Sequence, residues 1–339
     1  MTPRTVPHRP DGLLAELPAP PAGRTGWPWT EQTPPMPAVM PDGRAWPKIS
    51  LVTPSFRHAQ YIEETIRSVL LQNYPNLEYF VEDGGSTDGT AEILEKYSPW
   101  LSGWVSEKDR GQSHAINKGF ARCTGEIANW LCSDDTLTAG ALGIVAKHFA
   151  AEPTLDVLAG ACRMLFPDQP RRSRDKSVPC DKLRLMPCCN PVLQPSCFFR
   201  RRLLDRTPPI DESLHYALDF ELWNRFQMGK AVWKVIPDKL SVFLMTGGNK
   251  TLTGGRKLLT ELETVYLRYT CEWMPMTFWY GRLLLPLSQL RARSGRGFCF
   301  RLTSLLMLLV MLALSPFYGR HRVRALDWSW VLPPAFVAE

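Results

Sequence analysis

A chain of 339 residues, 45% hydrophobic and 22% charged, is long enough to bury a substantial core, which excludes wholesale disorder and leaves room for one large α/β domain plus an appendage. Its net charge of +7 is local: residues 273 to 326 hold eight arginines, no lysine and no acid, and removing them leaves the rest of the chain at −1. The nine cysteines are odd in number and show no repeated C-x-x-C spacing. That pattern excludes a disulfide framework or a zinc module and points to a reduced, intracellular chain, with the adjacent Cys188 and Cys189 as packed loop thiols.

Residues 1 to 48 carry 12 of the 30 prolines, interleaved with Trp27, Trp29 and Trp46. Such a segment cannot be regular helix or central strand, so 1–47 reads as a partly disordered, proline-rich arm whose tryptophans pin it to a domain surface. No signal peptide is expected, because the first forty residues lack a continuous apolar stretch.

From Lys48 the pattern changes to alternating strand and helix signals. Ile49 to Thr53 is a short buried strand, and Gln60 to Gln72 sets Ile62, Ile66, Val69 and Leu70 on one helical face. A strand at Leu77 to Val81 ends in the turn run Asp83 to Gly89, before a helix through Ile93, Leu94 and Tyr97. A helix at 113 to 121, a strand at 127 to 131 and a helix at 139 to 151 follow. This alternation predicts βαβ units, an α/β fold and a mainly parallel sheet. Further on come strands near 155 to 160 and 196 to 199, a proline- and arginine-rich loop from 167 to 191, and a helix carrying Leu218, Leu222, Trp223 and Phe226. The expected division is thus 48–248 as one α/β domain and 249–339 as a helical, basic and apolar tail.

Ligands of open α/β sheets sit outside the carboxyl ends of the strands. Three such ends read Thr53-Pro54-Ser55-Phe56, Glu82-Asp83-Gly84-Gly85-Ser86 and Cys132-Ser133-Asp134-Asp135. Carboxylates crowded on a rim repel an anionic ligand unless a cation lies between, so Asp134-Asp135 is a candidate Mg²⁺ or Mn²⁺ site that in turn holds a diphosphate. Alone, the pair reads equally as a turn and helix cap.

Read in order, Thr53 to Phe56, Glu82 to Thr90, Asp109-Arg110-Gly111-Gln112 with Ala115 to Gly119, Ser133-Asp134-Asp135, Gln194-Pro195 and Asp211 to Trp223 resemble the family 2 glycosyltransferases of the GT-A fold. The resemblance covers 49 to about 245, with the arm before it similar to that of some bacterial members, and does not reach the last ninety residues. It implies a nucleotide-diphospho-sugar transferase fold with a Rossmann-like sheet flanked by helices. The implied activity is inverting transfer of a sugar from a nucleotide-sugar donor, a UDP-sugar first, to a glycan or lipid-linked acceptor in envelope or exopolysaccharide synthesis.

The resemblance further implies that Asp83, with Pro54 and Ser55, contacts the donor's base, that Asp134 lies near the ribose and that Asp135 ligates the metal. Gly85, Asp109, Gly111, Asn117 and Lys118 fall in its donor-contacting blocks, and Asp109-Arg110 reads alternatively as a surface pair. Asp219 matches the general base, with Glu221 as the alternative, and Trp223 falls one turn beyond on the acceptor side. One base and in-line attack give inversion, without the close carboxylate pair of a retaining hydrolase. Where relatives often carry an R-x-H stretch this chain has Leu244 to Lys250, so the position of a third protein ligand holds Thr246.

A sugar nucleotidyltransferase would need a glycine-rich, lysine-bearing phosphate loop after the first strand, which Thr53 to Gln60 lacks. A non-catalytic, membrane-attached nucleotide-sugar-binding protein of the same fold is the alternative from another class. In the tail, Leu302 to Phe317 is nearly all apolar, but sixteen helical residues reach only ~24 Å against a hydrocarbon core of ~30 Å. Flanking arginines at 291, 293, 296, 301, 320, 322 and 324 favour peripheral attachment to an anionic leaflet, at the cytoplasmic face of the inner membrane. A packed helix or a dimer interface is the other reading. Arginines beside leucine runs, without aromatic stacking positions, exclude nucleic acid.

Overall fold

The computed structural model describes residues 4–183, 186, 190–205, 209–246, 248–270, 279–284, 286–287, 290–291 and 297–318. Cys188 and Cys189, and the arginines at 293, 296, 320, 322 and 324, lie outside them. The chain divides into two compact units, one of Met1–Val178, Val192–Ser213 and Gly229–Met245, the other of Pro179–Pro191, Leu214–Met228 and Thr246–Glu339.

The first unit is built on a nine-stranded sheet. Its strands are β1 (Ile49–Ser55), β2 (Leu77–Asp83), β3 (Gly103–Ser106), β4 (Ile127–Trp130), β5 (Thr136–Leu137), β6 (Val157–Leu165), β7 (Arg174–Lys176), β8 (Cys197–Arg200) and β9 (Trp233–Leu244). The order is β3-β2-β1-β4-β8-β6-β9-β5, with β7 on β6. Helices α1 (Ala59–Leu70), α2 (Thr90–Tyr97), α3 (Gln112–Arg122) and α4 (Ala141–Ala151) alternate with the early strands.

The sequence predicts a mainly parallel sheet, and only its first half obeys. β3, β2, β1 and β4 run parallel, as βαβ crossovers require. β8 then pairs antiparallel with both β4 and β6, β7 with β6 and β5 with β9, while β6 and β9 are parallel. The sheet is therefore mixed. It also curls, because only residues 131–135 separate β4 in the middle from β5 at the last position. A register shift in β6 between Ala159 and Cys162 falls opposite the exposed Pro237-Asp238 of β9, so the proline costs no ladder bond.

β1 and β2 are buried along their whole length, as in a sheet covered on both faces, and polar residues among them are paired, Ser50 with Glu78 and Glu82 with Arg122. Ile62, Ile66, Val69 and Leu70 of α1 pack into the same core as Leu142, Val145 and Phe149 of α4. The arm from residue 4 has no helix or strand, yet Val6, Leu13, Leu17, Trp29, Met40 and Trp46 are buried. It is held by Arg67 of α1, itself fully buried, whose guanidinium donates to the carbonyls of Pro18, Pro28 and Trp29 at 2.8, 3.0 and 2.8 Å. An extended segment without internal ladder bonds has its carbonyls satisfied by a side chain instead.

The second unit is helical. α5 (Leu218–Met228) packs with α6 (Gly255–Tyr269), and α7 (Phe298–Tyr318) completes a small cluster through Tyr266, Leu284, Met307 and Leu314. α7 is 21 residues long with a mean hydropathy of 2.1 over its apolar window. It starts at Phe298, ahead of the expected Leu302, and reaches about 31 Å, so it is long and apolar enough to cross a membrane.

Candidate active site

The carboxyl ends of β1, β2 and β3 lie side by side, with Ser55 opposite Asp83 and Asp83 opposite Ser106 in the pairing register. Asp83 is buried and its carboxylate is enclosed by the turn it begins. Oδ1 accepts from Ser86 Oγ at 2.6 Å, and Oδ2 from Ser86 N at 2.8 Å, Gly85 N at 3.2 Å and Ser106 Oγ at 2.6 Å. The run Asp83 to Ser86 is thus a rigid turn at the strand end. Gly85 holds φ at +79°, and a side chain there would press on Lys108 N.

The loop after β3 closes on this turn. Asp109 Oδ1 accepts from Gly111 N at 2.7 Å, and its other oxygen lies where a side chain on Gly84 would stand. Pro54 is buried in β1, and Ser55 is 5% exposed with no hydrogen-bond partner for its hydroxyl oxygen. Arg57 N donates to Ser86 Oγ at 2.7 Å and Ala59 N to Asp88 Oδ2 at 3.0 Å, which ties the β1 end to the β2 turn.

After β4 the chain turns through Cys132, Ser133, Asp134 and Asp135. The Thr65 hydroxyl of α1 lies 2.9 and 2.8 Å from the carbonyls of Ser133 and Asp135, and His58 Nδ1 is 2.7 Å from Ser133 Oγ. Asp135 is 1% exposed. Its Oδ1 accepts from Leu244 N at the end of β9 at 3.1 Å, and its Oδ2 has no partner among the described residues. Burial, and then the neighbouring Asp134, push its carboxyl well above the usual carboxylate range; burial raises Asp134 too, with His58 acting against it. Cys132, Asp134 and Asp135 each present a ligand atom within 4.8 Å of the others.

Two crowded carboxylates and an orphaned buried oxygen are costly unless something positive sits among them. The donor set therefore fits a divalent cation. Thr246, at the position of a third protein ligand in the resemblance, has its hydroxyl 3.4 Å from Asn249 Oδ1.

Asn117 and Lys118 of α3 serve other partners. Asn117 Nδ2 donates to the Ile210 carbonyl at 2.9 Å and Glu212 at 3.1 Å, and Arg110 pairs with the same Glu212 at 2.7 Å, fastening the 210–212 segment. Lys118 bridges Glu82 at 3.4 Å and Glu107 at 2.7 Å. His58, Thr65 and Glu212 were not singled out from sequence, because their roles depend on contacts between distant segments.

In the second unit, Asp219 stands in the first turn of α5, accepting from Phe220 N at 2.7 Å and Asn190 Nδ2 at 3.1 Å. The residue keeps part of its surface open, yet protein packed around its carboxyl raises its pKa above the usual carboxylate range. Glu221, in contrast, is 2% exposed and bound to Arg225 at 2.9 Å, Arg268 at 3.3 Å and Tyr269 Oη at 2.6 Å. Trp223 is fully buried beside Phe226.

The glycines, hydroxyls and carboxylates on the carboxyl rim of the parallel strands stand where open α/β sheets bind their ligands. Residues 50–207 match the family profile described as Glycosyl transferase family 2. An uncharacterized glycosyltransferase of Rickettsia typhi is 28% identical over 204 residues, covering 55% of this chain and 61% of that relative, so the match spans less than two thirds of its length. Among solved structures, the mannosyltransferase PcManGT of Pyrobaculum calidifontis, in complex with GDP-Man and Mn²⁺, is similar with a TM-score of 0.56, 21% identity and coverage of 86% of this chain and 85% of that one. S. aureus TarS 1–349 in complex with UDP-GlcNAc gives 0.53, 19%, 83% and 84%. The chain has the family 2 glycosyltransferase fold and carries the family 2 segment in residues 50–207.

Proposed function

We propose that this protein is an inverting, divalent-metal-dependent glycosyltransferase of the GT-A type, moving a sugar from a nucleotide diphosphate donor, a UDP-sugar first, to a hydroxyl of a glycan or lipid-linked acceptor in envelope or exopolysaccharide synthesis. The observation that carries it is the strand-end rim, where Ser55 Oγ, opposite Asp83, and Asp135 Oδ2, in the loop after β4, are buried without partners among the described residues. Those oxygens are where a nucleotide and a cation would find polar contacts that the protein leaves unmade. The similar structures bound to GDP-Man with Mn²⁺ and to UDP-GlcNAc support the ligand class.

In this reading Pro54, Ser55 and the Asp83 turn seat the base, and Gly85, Asp109 and Gly111 shape the adjoining wall. Asp134 and Asp135 hold Mg²⁺ or Mn²⁺, which when bound neutralises the diphosphate as it leaves. Asn117 and Lys118 act indirectly, through Glu212 and through Glu82 with Glu107. Asp219 takes the proton of the attacking hydroxyl, a role suited to a carboxyl whose basicity burial has raised. Glu221 is committed to its two arginines and Tyr269.

The domain reading is a proline-rich arm at 1–47, a catalytic domain at 48–248 and a membrane-associating tail at 249–339, peripheral at the cytoplasmic face of the inner membrane. Leu305, Leu309 and Leu312 of α7 are each at least 51% exposed, as a lipid-contacting face would be.

Thermal unfolding with UDP and Mn²⁺, with and without chelator, tests the reading. A ligand at a hundred times its Kd stabilises by about 2.7 kcal/mol, so a chelator-sensitive rise in Tm is expected for the wild type and a much smaller one for Asp135→Ala. No rise with any nucleoside diphosphate and metal contradicts it.

A further inference from the structure

We infer that Cys132 is a third protein donor to the cation at Asp134 and Asp135, and that it biases the site toward thiophilic divalent ions over Mg²⁺. The inference rests on the metal-site reading above and deepens it. Cys132 directly follows the buried β4–Leu131 run and opens the loop that carries both carboxylates, so its position is set by the same rigid strand end. Its sulfur and one oxygen from each aspartate lie within 4.8 Å of one another. Metal bonds of ~2.1 Å to oxygen and ~2.3 Å to sulfur allow donors up to ~4.4 Å apart across one ion, so a few tenths of an ångström of side-chain adjustment closes the set. The unpartnered, buried Oδ2 of Asp135 is the independent sign that a ligand belongs there.

A second contact orients the sulfur. Gln112 Nε2, at the start of α3, donates to Cys132 Sγ at 3.2 Å, as an outer-shell donor to a thiolate ligand does. Sulfur is also the most polarisable donor in the cluster. Hard Mg²⁺ prefers an all-oxygen octahedron and gains little from it, whereas Zn²⁺, Co²⁺ or Cd²⁺ gains a strong bond and Mn²⁺ stands between. The sulfur binds as thiolate, its proton passing to solvent as the sulfur–metal bond forms.

The test uses the full chain with UDP present. Titrating Co²⁺ into the wild type should produce a sulfur-to-cobalt charge-transfer band that Cys132→Ser lacks, with the folding of the variant checked by its Tm in chelator. The ratio of Cd²⁺ to Mg²⁺ affinity should fall at least about tenfold in that variant, the low end of what even outer-shell changes cost at metal sites. Should the variant fail to fold, wild-type alkylation read by mass spectrometry replaces it: Cd²⁺ with UDP should slow modification of Cys132, and Mg²⁺ with UDP should slow it far less. An unchanged band or affinity ratio in Cys132→Ser, or equal protection by both ions, overturns the inference while leaving the metal site intact. Absence of any metal-dependent UDP stabilisation in the wild type removes the metal-site reading and this inference with it.

Discussion

At the scale of single residues, the proposed function rests its chemistry on the carboxylates, and their protonation gives the sharpest tests. Burial raises Asp134 and Asp135 above the ordinary aspartate value of ~3.9, so between that value and their raised ones the folded metal-free protein holds protons that the unfolded chain has released. Their contribution to stability is thus full below ~4 and is lost as pH rises through the raised values. In EDTA, Asp135→Asn should therefore gain Tm relative to wild type toward neutral pH and gain nothing from Mn²⁺; identical pH profiles would contradict this. For Asp219, also raised by burial, the acid limb of kcat/KM against pH should lie above the usual carboxylate range. Asp219→Asn should keep donor affinity and lose turnover by ~10² to 10⁴, whereas Glu221→Gln should lower Tm and leave the acid limb in place. The rim carboxylates were legible because their spacing is sequential, strand end by strand end. The ion-paired burial of Glu221 was not, because it depends on Arg268 and Tyr269, nearly fifty residues away.

At the scale of elements, periodicity located most of what positions the site. The predicted faces of α1 and the strands β1, β2 and β4 sit within a few residues of their observed bounds, since buried parallel strands and amphipathic helices write strong local patterns. β3, β5, β7 and β9 left weaker marks: β5 and β7 are two and three residues long, and β9 is interrupted at Pro237. The antiparallel pairings of β5, β7 and β8, which make the sheet mixed, are fixed by tertiary partners alone. One tight junction offers a test of the α3–β1 packing that supports the rim. Gly119 faces Val52 so closely that an added methyl would come 2.3 Å from Val52 Cγ1. Glycine to alanine in a helix interior ordinarily stabilises by up to ~1 kcal/mol; here overpacking reverses the sign, and Gly119→Ala should cost ~1 to 3 kcal/mol in denaturant unfolding. A neutral or stabilising effect would show that α3 can move off the sheet freely.

At the scale of the whole chain, charge and hydropathy are segregated along the sequence: a near-neutral α/β portion precedes a tail whose arginines flank an apolar helix. α7 turns Met307 and Leu314 toward Tyr266 and Leu284 and leaves Leu305, Leu309 and Leu312 exposed. Replacing those three leucines by glutamate spares the packed side, so it should release the protein from membranes without lowering the Tm of the catalytic portion; unchanged fractionation would refute membrane attachment through this face. The measurement that bears most directly on the central proposal is release of nucleoside diphosphate from a panel of UDP-, GDP- and other nucleotide sugars in the presence of Mn²⁺. At least one donor should be turned over, with activity abolished by chelator and lost in both Asp135→Ala and Asp219→Asn. Turnover that persists in Asp135→Ala, or a panel in which no donor is bound or consumed, would contradict it.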